Sequence, residues 1–203
     1  MRRKLLLCGI WGACALGAMT MRGTHSIHAA AAPPSTREEG LAQWRVINSV
    51  LLSPRCINCH TQTDYPRQGD DRHQHNFRVL RGPDGHGVAG SQCSMCHHDM
   101  NSEASGVPGA PGWHLAPLSM EWERAPGVPM TSHELCKVIT DPNRNGHRDA
   151  AKLIEHHATE PLVLWAFSPG KRSDGTPRQA PPVSHEDFVA ATRVWAQAGS
   201  PCP

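Results

Sequence analysis

The sequence has few aromatic residues and no dominant charge. Its 203 residues include only three Phe and one Tyr, and hydrophobic residues make up 38%. That share is below the roughly 45–50% of an average globular domain, a figure that counts glycine as apolar. We therefore expect no large self-sufficient hydrophobic core. The 20 Lys and Arg and 18 Asp and Glu form neither a basic stripe nor an acidic tail, so we expect no nucleic-acid partner.

The sequence also lacks an apolar run that would span a membrane. The run from Leu5 to Met19 has 15 residues, whereas a spanning helix needs about 20. A basic stretch, residues 2–4, precedes it, and a small-residue stretch, residues 29–32, follows it. This layout predicts a signal peptide over residues 1–32 and an exported, periplasmic protein. The alternatives are an uncleaved segment that anchors the protein to the membrane and lipid modification at Cys14.

Cysteine and histidine, in contrast, are abundant, with 8 Cys and 14 His. Six cysteines remain after residue 32, and an oxidising compartment leaves few thiols free. Four of them form two C-x-x-C-H motifs, Cys56–His60 and Cys93–His97. This motif is the attachment signature of c-type haem.

The spacing suits that chemistry, because two thiols three positions apart reach both vinyl groups of one haem. The adjacent histidine then approaches the iron as its proximal ligand. We predict two covalently attached haem c groups, held by Cys56 and Cys59 with His60 as the first proximal ligand. Cys93, Cys96 and His97 form the second site. A zinc site built from the four cysteines and a thioredoxin-like redox motif are the alternatives.

Two cysteines, Cys136 and Cys202, lie outside both motifs. In an exported protein the expected fate of such a pair is a structural disulfide. The alternative is a pair of reactive thiols, although no activating residue stands beside either one.

The apolar pattern predicts short helices separated by long loops. Three helices are predicted to begin at capping residues that an acid follows three positions later: Thr36, Thr131 and Ser184. A further helix over residues 148–158 is predicted to place Ala151, Ile154 and Ala158 together on one face. The run 162–165 is too short to assign.

No stretch shows sustained β alternation, and residues 61–92 and 101–130 are long, Gly- and Pro-rich connections. The fold class that follows is mainly α with long irregular loops. Residues 33–203 are expected to form one small dihaem cytochrome c domain organised around its haems.

The remaining histidines bear on the sixth ligand of each iron. A six-coordinate haem needs one further ligand, whereas an open position allows catalysis or ligand binding. Ten histidines lie outside the motifs and after the predicted signal peptide: His73, His75, His86, His98, His114, His133, His147, His156, His157 and His185.

Several runs of the sequence resemble a bacterial family of exported dihaem c-type cytochromes, whose members are often named isoquinoline 1-oxidoreductase subunits. The resemblance covers essentially all of residues 33–203. It is carried by Cys56–His60, Gln68–Asp71, His73, His75, Arg81–Gly85, Cys93–His97, Trp113–Leu115, Glu134–Cys136, Asp141-Pro142, Arg144–Gly146, His156, Leu162–Trp165 and Cys202-Pro203.

The resemblance also ranks the candidate ligands. Four histidines match histidines of the family pattern: His73, His75, His114 and His156. We predict that His75 and His114 are the sixth ligands, with His73 and His156 in reserve. Two others, His86 and His157, fall where the family pattern has other residues.

The function that these features predict is electron transfer rather than catalysis. The resemblance implies a redox partner such as an exported molybdenum hydroxylase or another periplasmic dehydrogenase, although this chain has no molybdopterin or iron–sulfur feature itself. The alternatives are an enzyme or a sensor in which one haem has an open site for peroxide or a gas.

Overall fold

The structure is a computed structural model that describes residues 35–203, so the predicted signal peptide or anchor lies outside the described residues. The helices are α1 (Arg37–Leu51), α2 (Pro54–Ile57), α3 (Ser132–Thr140), α4 (Ala150–Thr159), α5 (Pro161–Phe167) and α6 (His185–Gln197). The short strands are β1 (Arg67–Gln68), β2 (His73–Gln74), β3 (Gly87–Val88), β4 (Ser91–Gln92), β5 (Glu123–Ala125) and β6 (Val128–Pro129). Each odd-numbered strand pairs antiparallel with the next one, giving three two-stranded ribbons. The helices contain many more residues than the short strands, so the mainly α class is confirmed.

Within residues 35–203 no helix is long and apolar enough to cross a membrane.

Side-chain caps start three of the helices where the sequence predicted them. The Thr36 hydroxyl accepts the Glu39 backbone N–H, and the Glu39 carboxylate accepts the Thr36 N–H, forming a complete capping box at α1. The same reciprocal pair opens α3, and the Ser184 side chain caps α6. These bonds satisfy N–H groups that the first turn of a helix leaves unpaired.

Helices α1, α3, α4 and α6 supply most of one buried hydrophobic core. The long helices α1 and α6 pack against each other, and the Trp44 and Trp195 rings lie with centres 5.4 Å apart. A side chain at Gly40 of α1 would come within 2.7 Å of Pro201, so this close approach requires glycine. The buried residues form one cluster: Trp44, Ile47, Val50, Leu51, Ile57, Trp122, Leu135, Cys136, Val138, Ile139, Leu153, Phe188, Ala191 and Trp195.

Two local features of the helices could not be predicted from the sequence. In α4 the buried residues are Leu153 and His157 rather than Ala151, which is exposed. The inward face is set by α6, where His157 meets Thr192. The unassigned run 162–165 is helical within α5, which begins with proline at its first position.

The predicted pairing of Cys136 with Cys202 is present as a disulfide, with Cα atoms 5.6 Å apart. It joins α3 to the segment after α6. The alternative of two reactive thiols does not hold for this pair.

Polar side chains fix the long loops that carry little regular structure. The buried Arg81 guanidinium donates to the carbonyl oxygens of Thr61, at 2.8 Å, and of Thr63 and Ala116. This contact joins the loop after the first C-x-x-C-H motif to the loop at residue 116. The irregular half of the protein is therefore held by hydrogen bonds where it lacks an apolar core.

Candidate functional site

The first C-x-x-C-H motif lies on the short helix α2 and the turn that follows it. Cys56 and Cys59 are not joined to each other, and Cys59 N–H donates to Cys56 O at 3.1 Å. Burial raises the pKa of Cys56 to about 11 and that of Cys59 to about 12. Both are therefore neutral thiols at neutral pH, which disfavours the thioredoxin-like alternative because reactive cysteines have lowered pKa values.

Contacts to its backbone, to one ring nitrogen and to one ring face hold His60 in place. Its Nδ1–H donates to Met120 O at 2.8 Å, and its own carbonyl accepts the Trp122 N–H at 2.9 Å. The Trp122 ring stacks on the imidazole at 3.5 Å between centres, with 6° between the planes. Burial lowers the pKa of His60 to about 3. His60 is therefore a neutral, fixed imidazole with Nε2 free to bind a metal, the arrangement usual for a metal-ligating histidine.

The second motif repeats this arrangement on unrelated local structure. Cys93–Met95 form a single 3₁₀ turn, and Cys96 and His97 follow. His97 Nδ1–H donates to Pro108 O at 2.7 Å, and Trp113 stacks on the imidazole at 4.4 Å with 1° between planes. Burial lowers the pKa of His97 as well. Each motif thus presents two free thiols and one oriented imidazole.

A cavity of about 290 Å³ opens beside the first motif. Cys56, Cys59 and His60 line it, together with three further histidines, His114, His156 and His157. Five aromatic side chains also line it: Trp113, Trp122, Trp165, Phe167 and Phe188. A ligand pocket of this kind, mostly apolar with a few placed polar groups, suits a flat hydrophobic cofactor.

His75, a predicted sixth ligand, lies opposite the second motif. Its ring centre is 6.0 Å from that of His97, with 68° between the planes. Two imidazoles that share one metal ion through bonds of about 2.0–2.1 Å have ring centres about 6 Å apart. The His75 Nδ1–H donates to Asn76 O, which again leaves Nε2 free.

The backbone around His75 is strained. Arg72, Phe77 and Arg78 have φ values of 60°, 64° and 52°. A left-handed conformation costs a non-glycine residue about 1–2 kcal/mol, and such strain is concentrated at functional sites. Arg72 pairs with Glu123, but Phe77 and Arg78 are exposed, so their side chains do not explain this cost in stability.

The other candidate ligands differ in how they are held. His114 lines the cavity, and its Nδ1–H donates to Gly112 O. His156 lines it too, with Nδ1 3.9 Å from Glu160 Oε2, which is beyond hydrogen-bonding distance. The reserve His73 is exposed and bonded to Asp71, and it does not line the cavity.

His157 lies in the cavity wall, although it falls where the family pattern has another residue. It is buried and lines the cavity, with Nδ1 3.0 Å from the Thr192 hydroxyl and its ring tilted against Phe188. Its partner lies on α6, far along the chain, so no local pattern could have revealed it.

Arg55 adds a buried charge beside the first pair of thiols. Its Nη2 lies 2.6 Å from Asp70, which also pairs with Arg172. Within the described residues, Arg55 Nε has no hydrogen-bond partner. A buried donor of this kind is costly unless a further group meets it, so the cavity wall is incomplete without a ligand.

The donor set at each motif fits haem. Haem attachment needs a thiol pair and an imidazole, and both motifs supply these. In the part of the chain that the structure describes, no three His, Cys, Asp or Glu side chains come together as a metal-ion site.

Comparisons with known proteins found no family model, curated protein or solved structure that matches this chain. The resemblance to the dihaem family stays a prediction. A function must therefore be inferred from the geometry of the site.

Proposed function

We propose that this protein is a dihaem c-type cytochrome that transfers single electrons. One repeated observation carries the proposal. In both C-x-x-C-H motifs the histidine Nδ1–H is bonded to a backbone carbonyl and a tryptophan stacks on the ring. The same arrangement of imidazole, carbonyl and tryptophan occurs on two different local structures, which supports the same ligand at both motifs.

The residues divide between two sites. Cys56, Cys59 and His60 would hold the first haem, and Cys93, Cys96 and His97 the second. Each haem would supply an iron that changes by one electron. The chain would bind the haems and orient the imidazoles of His60 and His97, and apolar side chains would line the first site.

The sixth ligands distinguish a carrier from an enzyme. The 6.0 Å separation of His75 and His97 supports two imidazoles on the second iron, and His114 is our ligand for the first, with His156 in reserve. Two filled axial positions leave no place for a substrate at the iron. The geometry therefore favours the carrier over the enzyme or the sensor.

The partner and the compartment remain proposals. From residue 33 onward the chain has 16 basic and 18 acidic residues, and haem propionates would add negative charge. A basic docking patch on an exported molybdenum hydroxylase or another dehydrogenase would complement such a surface.

The test uses the full chain produced in a host that attaches haem. We expect two covalent haems per chain and a ferrous visible spectrum that carbon monoxide does not change. A small mediator should reduce and reoxidise both haems. A chain without covalent haem would overturn the proposal, and a shifted Soret band with carbon monoxide would favour the enzyme or sensor.

Paired variants locate the two haems. The Cys56→Ala/Cys59→Ala and Cys93→Ala/Cys96→Ala variants should each keep one haem. As a matched control, the Cys136→Ala/Cys202→Ala variant also loses two cysteines but should keep both haems.

A further inference from the structure

Trp113 touches both candidate haem sites. One face of its indole stacks on His97 of the second motif, at 4.4 Å between centres. The same side chain lines the cavity that contains His60 of the first motif. Its edge also meets Trp165, another wall of that cavity, at 4.7 Å and 76° between planes.

Asn101 joins the same two regions by hydrogen bonds. Its side-chain carbonyl accepts from Trp165 Nε1 at 3.0 Å and from Gly109 N at 3.1 Å. Gly109 follows Pro108, whose carbonyl holds His97 Nδ1. Trp113 therefore positions His97 at its ring face, and the Pro108 carbonyl positions it at Nδ1. Both groups contact residues that are held by the wall of the first cavity.

We propose that Trp113 is a positioning residue shared by the two haem sites, so that a change in this side chain alters both irons. This inference rests on the proposed function. Its physical basis is that a stacked indole restricts the rotation of the imidazole plane, while its other contacts shape the first cavity.

Trp122 supplies a matched control. It is the same residue type, and it stacks on the other proximal histidine, His60. Its backbone bonds go to His60 and Met130. Trp122 contacts one site, whereas Trp113 contacts two. Comparing their variants therefore distinguishes the effect of losing a stacked indole from the effect of losing an indole that both sites share.

The experiment places each substitution in proteins that keep a single haem. Trp113→Leu and Trp122→Leu are each combined with Cys56→Ala/Cys59→Ala, which keeps the second haem, and with Cys93→Ala/Cys96→Ala, which keeps the first. The readouts are the low-spin ferric electron paramagnetic resonance signal and the midpoint potential. Neither needs an assay of electron transfer to a partner.

Trp113→Leu should shift both readouts in both backgrounds, while Trp122→Leu should shift them only where the first haem remains. A Trp113→Leu effect in one background alone, or in neither, overturns the proposal. Trp113→Phe keeps a stacked ring and should restore most of the original signal. If the leucine variant fails to fold, the phenylalanine variant should shift both backgrounds by a smaller amount, and a shift in one alone counts against sharing.

Failure of the inference differs from failure of the proposed function. If neither background carries covalent haem, the function is wrong. If both backgrounds carry haem but Trp113→Leu shifts the readouts in only one of them or in neither, only the shared role of Trp113 is wrong.

Discussion

The imidazole rings of His75 and His97 lie in an edge-to-face arrangement with their centres 6.0 Å apart, although strands β3 and β4 lie between the two residues in the chain. His97 belongs to a C-x-x-C-H motif and His75 does not. The strained backbone after His75, at Phe77 and Arg78, delivers the second ring to this position. This relationship makes the second site the more sharply defined of the two.

Replacing His75 should open the second iron. We expect His75→Ala to make one of the two ferrous haems bind carbon monoxide, because its iron loses a protein ligand. The measurement is the Soret band before and after the gas is added. His73→Ala is the matched control, since His73 is exposed and bonded to Asp71, and its spectrum should not change. An unchanged His75→Ala spectrum would remove His75 as a ligand.

Three further histidines line the cavity beside the first motif, and the way they are held ranks them as candidate ligands. His114 has its Nδ1–H bonded to a backbone carbonyl, as His60 does, whereas His156 Nδ1 lies 3.9 Å from Glu160. We expect His114→Ala to produce a first haem that binds carbon monoxide. His156→Ala and His157→Ala should leave the first haem unable to bind the gas. An open site in the His156 or His157 variant instead would assign that residue as the ligand.

The disulfide should contribute substantially to stability. Cys136 and Cys202 are 66 residues apart, and a loop of that length corresponds to about 4 kcal/mol in the chain-entropy account. We expect the Cys136→Ala/Cys202→Ala variant to unfold at a clearly lower urea concentration than the wild type. Reduction of the wild-type disulfide should produce a similar shift. Equal midpoints in all three samples would show that the crosslink adds nothing.

Buried Glu123 should support the fold in a pH-dependent way. Burial alone would raise the pKa of Glu123, but Gln62, Thr61 and Arg67 outweigh it and hold the pKa below its usual value of 4.5. The carboxylate therefore stabilises the fold at pH above 4.5. This contribution is lost as the pH falls through the lowered pKa of the folded protein.

Glu123→Gln should lower the free energy of unfolding by about 3 kcal/mol at neutral pH, because it leaves buried arginines without their countercharge. The difference from wild type should shrink in acid, as urea titrations at several pH values would show. Glu121→Gln is the control, since the Glu121–Arg144 pair is more exposed and should contribute at most about 1 kcal/mol. A pH-independent difference for Glu123→Gln would contradict the ionised carboxylate.

Local signals predicted the parts of the fold that local chemistry decides. The caps at Thr36 and Thr131 lie within three residues of their partners, so the starts of α1 and α3 could be predicted from the sequence. The pairing of Cys136 with Cys202 followed because two cysteines remained once the motifs were assigned. The two C-x-x-C-H motifs are also visible in the sequence, and their attachment of haem stays a prediction.

The rest depended on distant partners. The inward face of α4 is set by α6, where Thr192 meets His157, so the burial of His157 could not be predicted from the helix alone. The stacking of Trp113 on His97 likewise arises from the path of the intervening loop. Neither contact leaves a periodic pattern in the sequence.

The packing of α1 against α6 gives the protein an order of assembly. A ribosome delivers α1 before α6, and Arg37 of the first helix donates to the carbonyl of Cys202, which follows α6. The helical core can therefore close only after α6 and the segment that follows it have been made. Cys56 and Cys59, which line the cavity of the finished fold, are more accessible until then. Under the proposed function, this delay gives a haem-attaching enzyme a period of access that a core closing early would deny it.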